Sequence, residues 1–278
     1  MQKREQPINS MDSAVPDPLQ VIRRRIDAID EKMHRLLIER SGVIGELIEI
    51  KGASKPGGAF RPDREADMMR RLVMRHEGDL PLITVEHIWR EIITTFTAMQ
   101  APFGIAAGPA DDPLAMRDAI RFYFGFSIPV TDCPTADAAI ARVAGSAREV
   151  AVVAADATER WWDALAGAAA PRIFARLPFL DIPDRPAGLP AYVIGPPLSG
   201  SAPPDVQVFA IEASRRLDGA IKSHEGRIVV RAEQEVLVEL PIAATLDDLA
   251  KENGEPLRNV RALGGFAQPI RYLSERTA

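Results

Sequence analysis

The chain has 278 residues, a formal net charge of −5, and 46% hydrophobic and 26% charged residues, an ordinary composition for a soluble globular protein. Its mild acidity argues against a general role in binding nucleic acid or membrane surfaces. The single Cys133 excludes an intramolecular disulfide, and the four histidines are too scattered for a metal site. The polar stretch Met1 to Pro18 lacks a signal peptide's apolar core, and no run is long enough to span a membrane. We therefore expect a cytoplasmic protein without metal or cofactor.

Four regions differ in composition, although the length alone suggests only about two domains. Residues 1–17 read as a flexible tail, and residues 18–102 have the pattern of a helical domain. Residues 103–204 alternate short β-rich runs with Ala-rich helical runs and end in a Pro-rich stretch, which we interpret as a linker or a set of edge loops. Residues 205–278 form the last predicted unit.

The helical region opens with one long amphipathic helix from Pro18 to Lys51, with Asp17 as its cap. Apolar residues recur at steps of four and three, and this apolar stripe comprises Ile22, Ile26, Ile29, Met33, Leu36, Ile44 and Leu47. Two cations, Arg40 and Lys51, fall on the same stripe. Such a helix is about 50 Å long at ~1.5 Å per residue.

Two shorter helices follow, one opened by Pro62 and one that we expect Thr84 to cap. Two short helices cannot cover an apolar stripe of about 50 Å. The long helix therefore needs cover from another chain, and we infer a homodimer.

Several polar side chains fall on inward-facing rows of these helices. Each cation could pair with a neighbouring glutamate or extend to water. Taken together, however, a helical bundle with cations converging inside it predicts a site for a small polyanion, most simply a dicarboxylate. The candidate residues are Arg23, Arg40, Lys51, Arg64, Glu65 and Gln100.

Residues 19–100 resemble the all-helical chorismate mutases, most closely the N-terminal domain of the bifunctional chorismate mutase–prephenate dehydratases. The resemblance covers about 80 residues, and its motifs are specific as an ordered set. They are Ile22-Arg23-Arg24-Arg25-Ile26-Asp27, Leu37-Ile38-Glu39-Arg40, Lys51, Phe60-Arg61-Pro62-Asp63-Arg64-Glu65, Arg90-Glu91-Ile92 and Gln100.

The resemblance implies a dimeric isomerase that rearranges chorismate to prephenate without nucleophile, proton shuttle or cofactor. It implies that Arg40 and a partner-supplied Arg23 hold the two carboxylates, with Arg64 supporting them. Lys51 and Gln100 would donate hydrogen bonds to the ether oxygen, and Glu65 would accept one from the ring hydroxyl.

Two positions depart from the family pattern: Arg61 replaces an aspartate and Phe96 replaces a small hydroxyl residue of some members. Isochorismate-pyruvate lyase shares this fold and much of this site, so it remains an alternative chemistry. A non-catalytic regulatory or partner-binding protein is a second alternative, although the apparent completeness of the cation set argues against it.

Residues 103–204 resemble part of a prephenate dehydratase domain, beginning with the strand and turn at residues 103–109. The family's Pro-x-Glu-Asn-Ser segment is replaced by Ala154-Ala155-Asp156-Ala157-Thr158. Its catalytic Thr-Arg-Phe triplet is replaced by Pro190-Ala191-Tyr192. We therefore expect a degenerate α/β lobe without dehydratase activity.

The last unit has the predicted order strand, helix, strand, strand, helix, strand, which resembles an α+β ACT regulatory domain. Its final strand, near Val260 to Phe266, is similar to that of the dehydratase's ACT domain. The two phenylalanine-binding segments of that family are altered or absent here. The sequence therefore favours a domain kept for folding or dimer contacts over one that senses phenylalanine.

Overall fold

The structure is a computed structural model, and it describes residues 17–51, 60–146, 148–198, 200 and 202–271. The chain divides into two compact units, one ending at Lys51 and the other beginning at residue 52. The predicted tail over residues 1–17 lies outside the described residues except for Asp17.

Three helices make up the N-terminal part, as predicted. They are α1 (Pro18–Lys51), α2 (Pro62–Met74) and α3 (Leu82–Gln100). The Asp17 carboxylate accepts a hydrogen bond from the Leu19 amide at 3.1 Å, which confirms the predicted cap. Apolar side chains of α2 and α3, including Met69 and Ile93, form a small core with Phe179, and all of these residues belong to the second unit.

The prediction that Thr84 caps the third helix is wrong. This helix starts two residues earlier, at Leu82, after Pro81. Thr84 lies in its first turn, where the Thr84 amide donates to the Pro81 carbonyl at 2.9 Å. The helix extends to Leu82 because this side chain is buried, so the added turn gains apolar contact.

The α/β region begins with two parallel crossovers around the first strand. Its elements are β1 (Gly104–Ala107), α4 (Pro113–Phe124), β2 (Val130–Asp132), α5 (Ala136–Gly145) and β3 (Glu149–Ala154). Alternate residues of β1 and β3 pack on opposite sides, Ile105 and Val152 with α4 and Ala106 and Val153 with α5. Both faces are thus covered by helices, which explains the continuous apolar sequence of β3.

The chain continues through a 3₁₀ turn (Trp161–Leu165) into β4 (Arg172–Leu177), β5 (Leu180–Asp181) and β6 (Ala191–Gly195). The interpretation of the Pro-rich stretch as linker or edge loops is wrong for β6. This strand is fully buried and pairs antiparallel with both β3 and β4. It tolerates the prolines because Pro190 and Pro196 lie just outside it, so no strand amide is lost.

The last part contains β7 (Val206–Glu212), α6 (Leu217–Ser223), β8 (Arg227–Ala232), β9 (Glu235–Pro241), α7 (Leu246–Asn253), β10 (Arg261–Phe266) and β11 (Ile270–Arg271). The predicted βαββαβ order over β7 to β10 is therefore confirmed. Thr245 caps α7 by accepting from the Asp248 amide at 3.1 Å.

One mixed sheet of nine strands joins the α/β lobe to this last part. Its order is β2-β1-β3-β6-β4-β10-β7-β9-β8, with β5 and β11 forming a separate pair. The link is the parallel pairing of β10 with β4, in which Gly264 lies opposite Ile173. The structure thus has the predicted all-α, α/β and α+β elements, but the last two share a sheet and a core. The division at residues 204 and 205 stays a prediction.

Candidate functional site

The six predicted site residues lie on three helices. Arg23, Arg40 and Lys51 belong to α1, whereas Arg64, Glu65 and Gln100 belong to α2 and α3 of the other compact unit. Because α1 is continuous, the separation of eleven positions between Arg40 and Lys51 makes about three turns, so both lie on one face about 16 Å apart. The Lys51 side chain lies outside the described residues.

Arg23 occupies a different position around α1. The separation of seventeen positions between Arg23 and Arg40 places Arg23 about 100° away around the helix. Its side chain is exposed, whereas Arg40 is half-buried. The α1 geometry thus separates Arg23 from the face that carries Arg40 and Lys51.

Of the predicted residues on α2 and α3, Glu65 is the one whose side chain lies at ion-pair distance from a described arginine. Its Oε2 lies 3.5 Å from Nη1 of Arg90, and the Arg90 side chain is 2% exposed. The neighbouring Arg64 is exposed. Gln100 ends α3, and its Nε2 donates to the Phe96 carbonyl at 3.0 Å.

Glu65, whose side chain is 20% exposed, lies at the edge of a buried ionic cluster. The cluster also contains Arg90, Glu86 and Arg185, and we call it the α3 ionic cluster. Arg185 Nη1 lies 3.1 Å from Glu86 Oε2, and both side chains are less than 5% exposed. The Arg90 guanidinium carbon lies 4.0 Å from the Tyr123 ring centroid. Two carboxylates and two guanidinium groups balance in charge, as burial requires.

Burial shifts the pKa of several groups in this cluster. Desolvation raises the pKa of Glu65 above its usual range, while the Arg90 guanidinium opposes that rise. Desolvation likewise raises the pKa of Glu86, against the opposing charges of Arg185 and Arg90. Burial raises the pKa of Tyr123 to about 12, so its hydroxyl stays protonated near neutral pH.

Sequence reasoning missed the other members of the cluster as functional candidates. Glu86 and Arg90 stand four residues apart on α3, a spacing that usually marks an exposed ion pair. The available signal was that both extend the row of buried residues Leu82, Ile93 and Thr97. Arg185 gave no signal, because its contact with Glu86 joins residues 99 positions apart.

The segment that the resemblance places at the dehydratase triplet position runs into the core. Ala191 and Tyr192 are fully buried in β6. The Tyr192 hydroxyl donates to Glu239 Oε1 at 2.6 Å, and Arg176 and Arg227 also contact this carboxylate. Burial and the adjacent Glu239 carboxylate raise the pKa of Tyr192 well above its usual range. The tyrosine therefore serves a packed, hydrogen-bonded strand.

A cavity of about 500 Å³ lies between α2, β4 and β10, lined in part by Asp63, Arg70, Phe174 and Phe266. None of the five predicted site residues with a described side chain lines it. No three His, Cys, Asp or Glu side chains among the described residues are placed to hold a metal ion. Within the same residues, none of the helices is both long and apolar enough to cross a membrane.

Two solved structures are similar to part of this chain. One is described as "GqqA- a novel type of quorum quenching acylases", with 13% identity, a TM-score of 0.38, and 59% of this chain and 94% of that chain covered. The other is prephenate dehydratase from Streptococcus mutans, with 13% identity, a TM-score of 0.34, and 62% and 100% covered. TM-scores below 0.5 assign neither a fold nor an activity to this chain.

Sequence relatives are bifunctional chorismate mutase/prephenate dehydratases. The protein from Neisseria gonorrhoeae is 33% identical over 115 residues, which are 41% of this chain and 31% of the relative. The Pseudomonas aeruginosa protein is 27% identical over 141 residues, which are 49% of this chain and 38% of the relative. The Aquifex aeolicus protein is 31% identical over 124 residues, which are 43% of this chain and 33% of the relative. The matched part therefore spans about a third of each relative's length.

The helical region also matches a family model directly. That model is chorismate mutase type II, and it covers residues 22–101. The matched range contains all six predicted site residues. Residues 22–101 are therefore similar to the chorismate mutase type II family, in line with the resemblance over residues 19–100.

Proposed function

We propose that this protein is a chorismate mutase, an isomerase that converts chorismate to prephenate in aromatic amino acid biosynthesis. The observation that carries the proposal is the match of residues 22–101 to the chorismate mutase type II family. The reaction is a one-step pericyclic rearrangement. It needs a site that holds a compact diaxial conformer and stabilises charge at the breaking ether bond.

The proposed site combines the six residues predicted from sequence. Arg40 and Arg23 bind the two carboxylates, and Arg64 supports them. Lys51 and Gln100 donate to the ether oxygen, and Glu65 accepts from the ring hydroxyl. The shared face of Arg40 and Lys51 on α1 supports this assignment, because cations on one row of a helix are placed to contact the same bound substrate.

We further propose that the active form is a homodimer in which Arg23 reaches the partner's site. The support is the apolar stripe of α1, whose side chains are about half exposed in a single chain. They are Ile22, Ile26, Ile29, Met33 and Leu36. A row this long and apolar is typical of a helix that packs against another subunit. The offset of Arg23 around α1 is consistent with a role in a different site from Arg40.

The proposal includes the absence of dehydratase activity. The residues at the triplet position, Pro190 to Tyr192, lack the Thr, Arg and Phe of that family. Tyr192 and Ala191 are core residues of β6 with no exposed surface. We assign the ACT-like last part, β7 to β10, to folding or dimer contacts.

The test compares chorismate turnover by the wild-type full chain with turnover by the Lys51→Ala variant. A preorganised hydrogen-bond donor to a developing charge contributes about 3–4 kcal/mol, so Lys51→Ala lowers kcat at least ~100-fold. Helical content measured by circular dichroism stays unchanged. Lys32→Ala, on the same helix and outside the proposed site, is the matched control with wild-type turnover. Normal turnover by Lys51→Ala would remove Lys51 from the mechanism.

A further inference from the structure

Arg90 is a buried cation held between two aromatic rings. Its guanidinium carbon lies 4.0 Å from the ring centroid of Tyr123 and 5.6 Å from that of Phe179. The whole residue is 1% exposed. Guanidinium groups are attracted to aromatic faces, and this attraction strengthens when the pair is removed from water. The two rings therefore restrict where the Arg90 charge can lie.

Both rings belong to the α/β region, beyond the chorismate mutase match. Tyr123 lies on α4, and its carbonyl accepts a hydrogen bond from Thr94 Oγ1 of α3 at 3.3 Å. Phe179 lies between β4 and β5, and its carbonyl accepts from the Ile270 amide at 2.8 Å. Their backbones are thus fixed by the fold on both sides of Arg90.

The guanidinium held in this way lies within ion-pair distance of Glu65. The 3.5 Å separation between Arg90 Nη1 and Glu65 Oε2 is long for a hydrogen bond, but it is a strong electrostatic contact in a buried setting. We infer that Arg90 is a positioning residue for Glu65, through which Tyr123 and Phe179 of the α/β region shape the mutase site. This inference rests on the proposed function.

The charges around Glu65 determine whether its carboxyl group is ionised. Asp63, on the same helix, opposes ionisation of Glu65, as does burial, while Arg90 and the Arg61 backbone favour it. Glu86 and Arg185, from α3 and the loop before β6, pair with each other at 3.1 Å. Arg90 is therefore the one guanidinium among these described neighbours that favours the Glu65 carboxylate, the form that accepts from a ring hydroxyl.

The experiment measures kcat/KM for chorismate across pH in the full chain. An opposite charge within 4–6 Å lowers a carboxyl pKa by roughly 1–3 units. Arg90→Met therefore moves the acid limb of kcat/KM upward by roughly 1–3 pH units. In Arg90→Lys, the acid limb lies close to its wild-type pH, because lysine restores the positive charge. A purely structural role for Arg90 would lower activity or stability without moving the limb.

A second variant tests the aromatic part even if Arg90→Met fails to fold. Tyr123→Leu removes the ring over Arg90 and moves the acid limb in the same direction by a smaller amount. Phe122→Leu is the matched control, since Phe122 is the adjacent residue of α4 and its ring lies 4.8 Å from the Arg185 guanidinium. The control lowers stability to a similar degree and leaves the limb in place. Equal shifts in both variants would overturn the inference.

A direct titration separates this inference from the proposed function. Carbon-13 resonances of the glutamate carboxyl groups, with Glu65 assigned from Glu65→Gln, report the Glu65 pKa without substrate. A wild-type chain that does not convert chorismate refutes the proposed function. A Glu65 pKa that is the same in wild type and Arg90→Met, and also in Tyr123→Leu, refutes the positioning role even in an active enzyme.

Discussion

Glu86 and Arg185 show how a single buried ion pair links stability to pH. Burial raises the pKa of Glu86 in the folded state above its unfolded value. The folded protein therefore holds this proton more tightly than the unfolded chain does. The resulting contribution to stability is present below the unfolded pKa and is lost as pH rises through the raised pKa.

Arg185→Met removes the largest positive contribution that favours ionised Glu86, and it raises the Glu86 pKa further. Breaking a buried pair by removing one partner costs about 3–5 kcal/mol, so the free energy of unfolding falls by about this amount near neutral pH. The loss is smaller at about pH 5, where Glu86 is more protonated. Urea unfolding at about pH 5 and about pH 8 measures both values.

The double variant Glu86→Gln/Arg185→Met serves as the control for this prediction. Because it removes both charges, it recovers much of the lost stability and flattens the pH dependence. A loss in Arg185→Met that is equal at the two pH values would show that Glu86 is not the titrating group.

At the scale of elements, the join between β4 and β10 depends on one glycine. Gly264 has a φ of +131°, and a Cβ added there would overlap the backbone N and O of Ile173. These are the two residues that pair β10 with β4. A side chain at this position would therefore be strained and would also force the two strands apart.

We expect Gly264→Ala to lower the free energy of unfolding by roughly 2–4 kcal/mol, as measured by urea denaturation. Gly219→Ala is the matched control, because Gly219 lies in α6 and an added Cβ would meet nothing within 4 Å. The control variant gains about 0.5–1 kcal/mol. Unchanged stability in Gly264→Ala would contradict the close approach of β10 to β4.

The elements differ in how well their sequence predicted them. The bounds of α1 and β7 followed from local signals, namely an N-cap with a long apolar period and a short β-rich run. The position of β4 did not, because its partners β6 and β10 are distant in sequence and its alternating pattern is short. The shared sheet depends on this pairing, so the sequence suggested two separate parts.

The residues of the candidate site also differ in how well the sequence predicted them. The family pattern supplied Arg40, Lys51 and Glu65 as residue types at fixed spacing. Arg90 was visible only as part of a motif, because its burial depends on Tyr123 and Phe179, which approach it only in the folded protein. Long-range contacts of this kind carry no signal in local spacing.

At the scale of the whole molecule, the account depends on association through α1. Ile29, in the middle of the apolar stripe, is 54% exposed in a single chain. Burying such a stripe between two chains is favourable by about 25 cal/mol per Å² of apolar surface. A lysine in this interface would be buried without a partner, at a cost of several kcal/mol.

We expect the wild-type chain to sediment as a dimer at micromolar concentration and Ile29→Lys to sediment as a monomer. Turnover is lost together with the dimer, because Arg23 can no longer reach the second site. Lys32→Ala, a neighbouring change outside the stripe, stays dimeric and active. A monomeric wild type with full turnover would contradict the proposed shared site.

The most direct test of the mutase assignment is to identify what the purified chain makes from chorismate. Loss of chorismate absorbance would be followed together with product analysis, and isochorismate would be supplied in a parallel reaction. The account predicts that chorismate is converted to prephenate alone and that isochorismate is not cleaved. Phenylpyruvate would show that the dehydratase part is active, pyruvate from isochorismate would indicate the lyase, and no conversion of chorismate would contradict the mutase assignment.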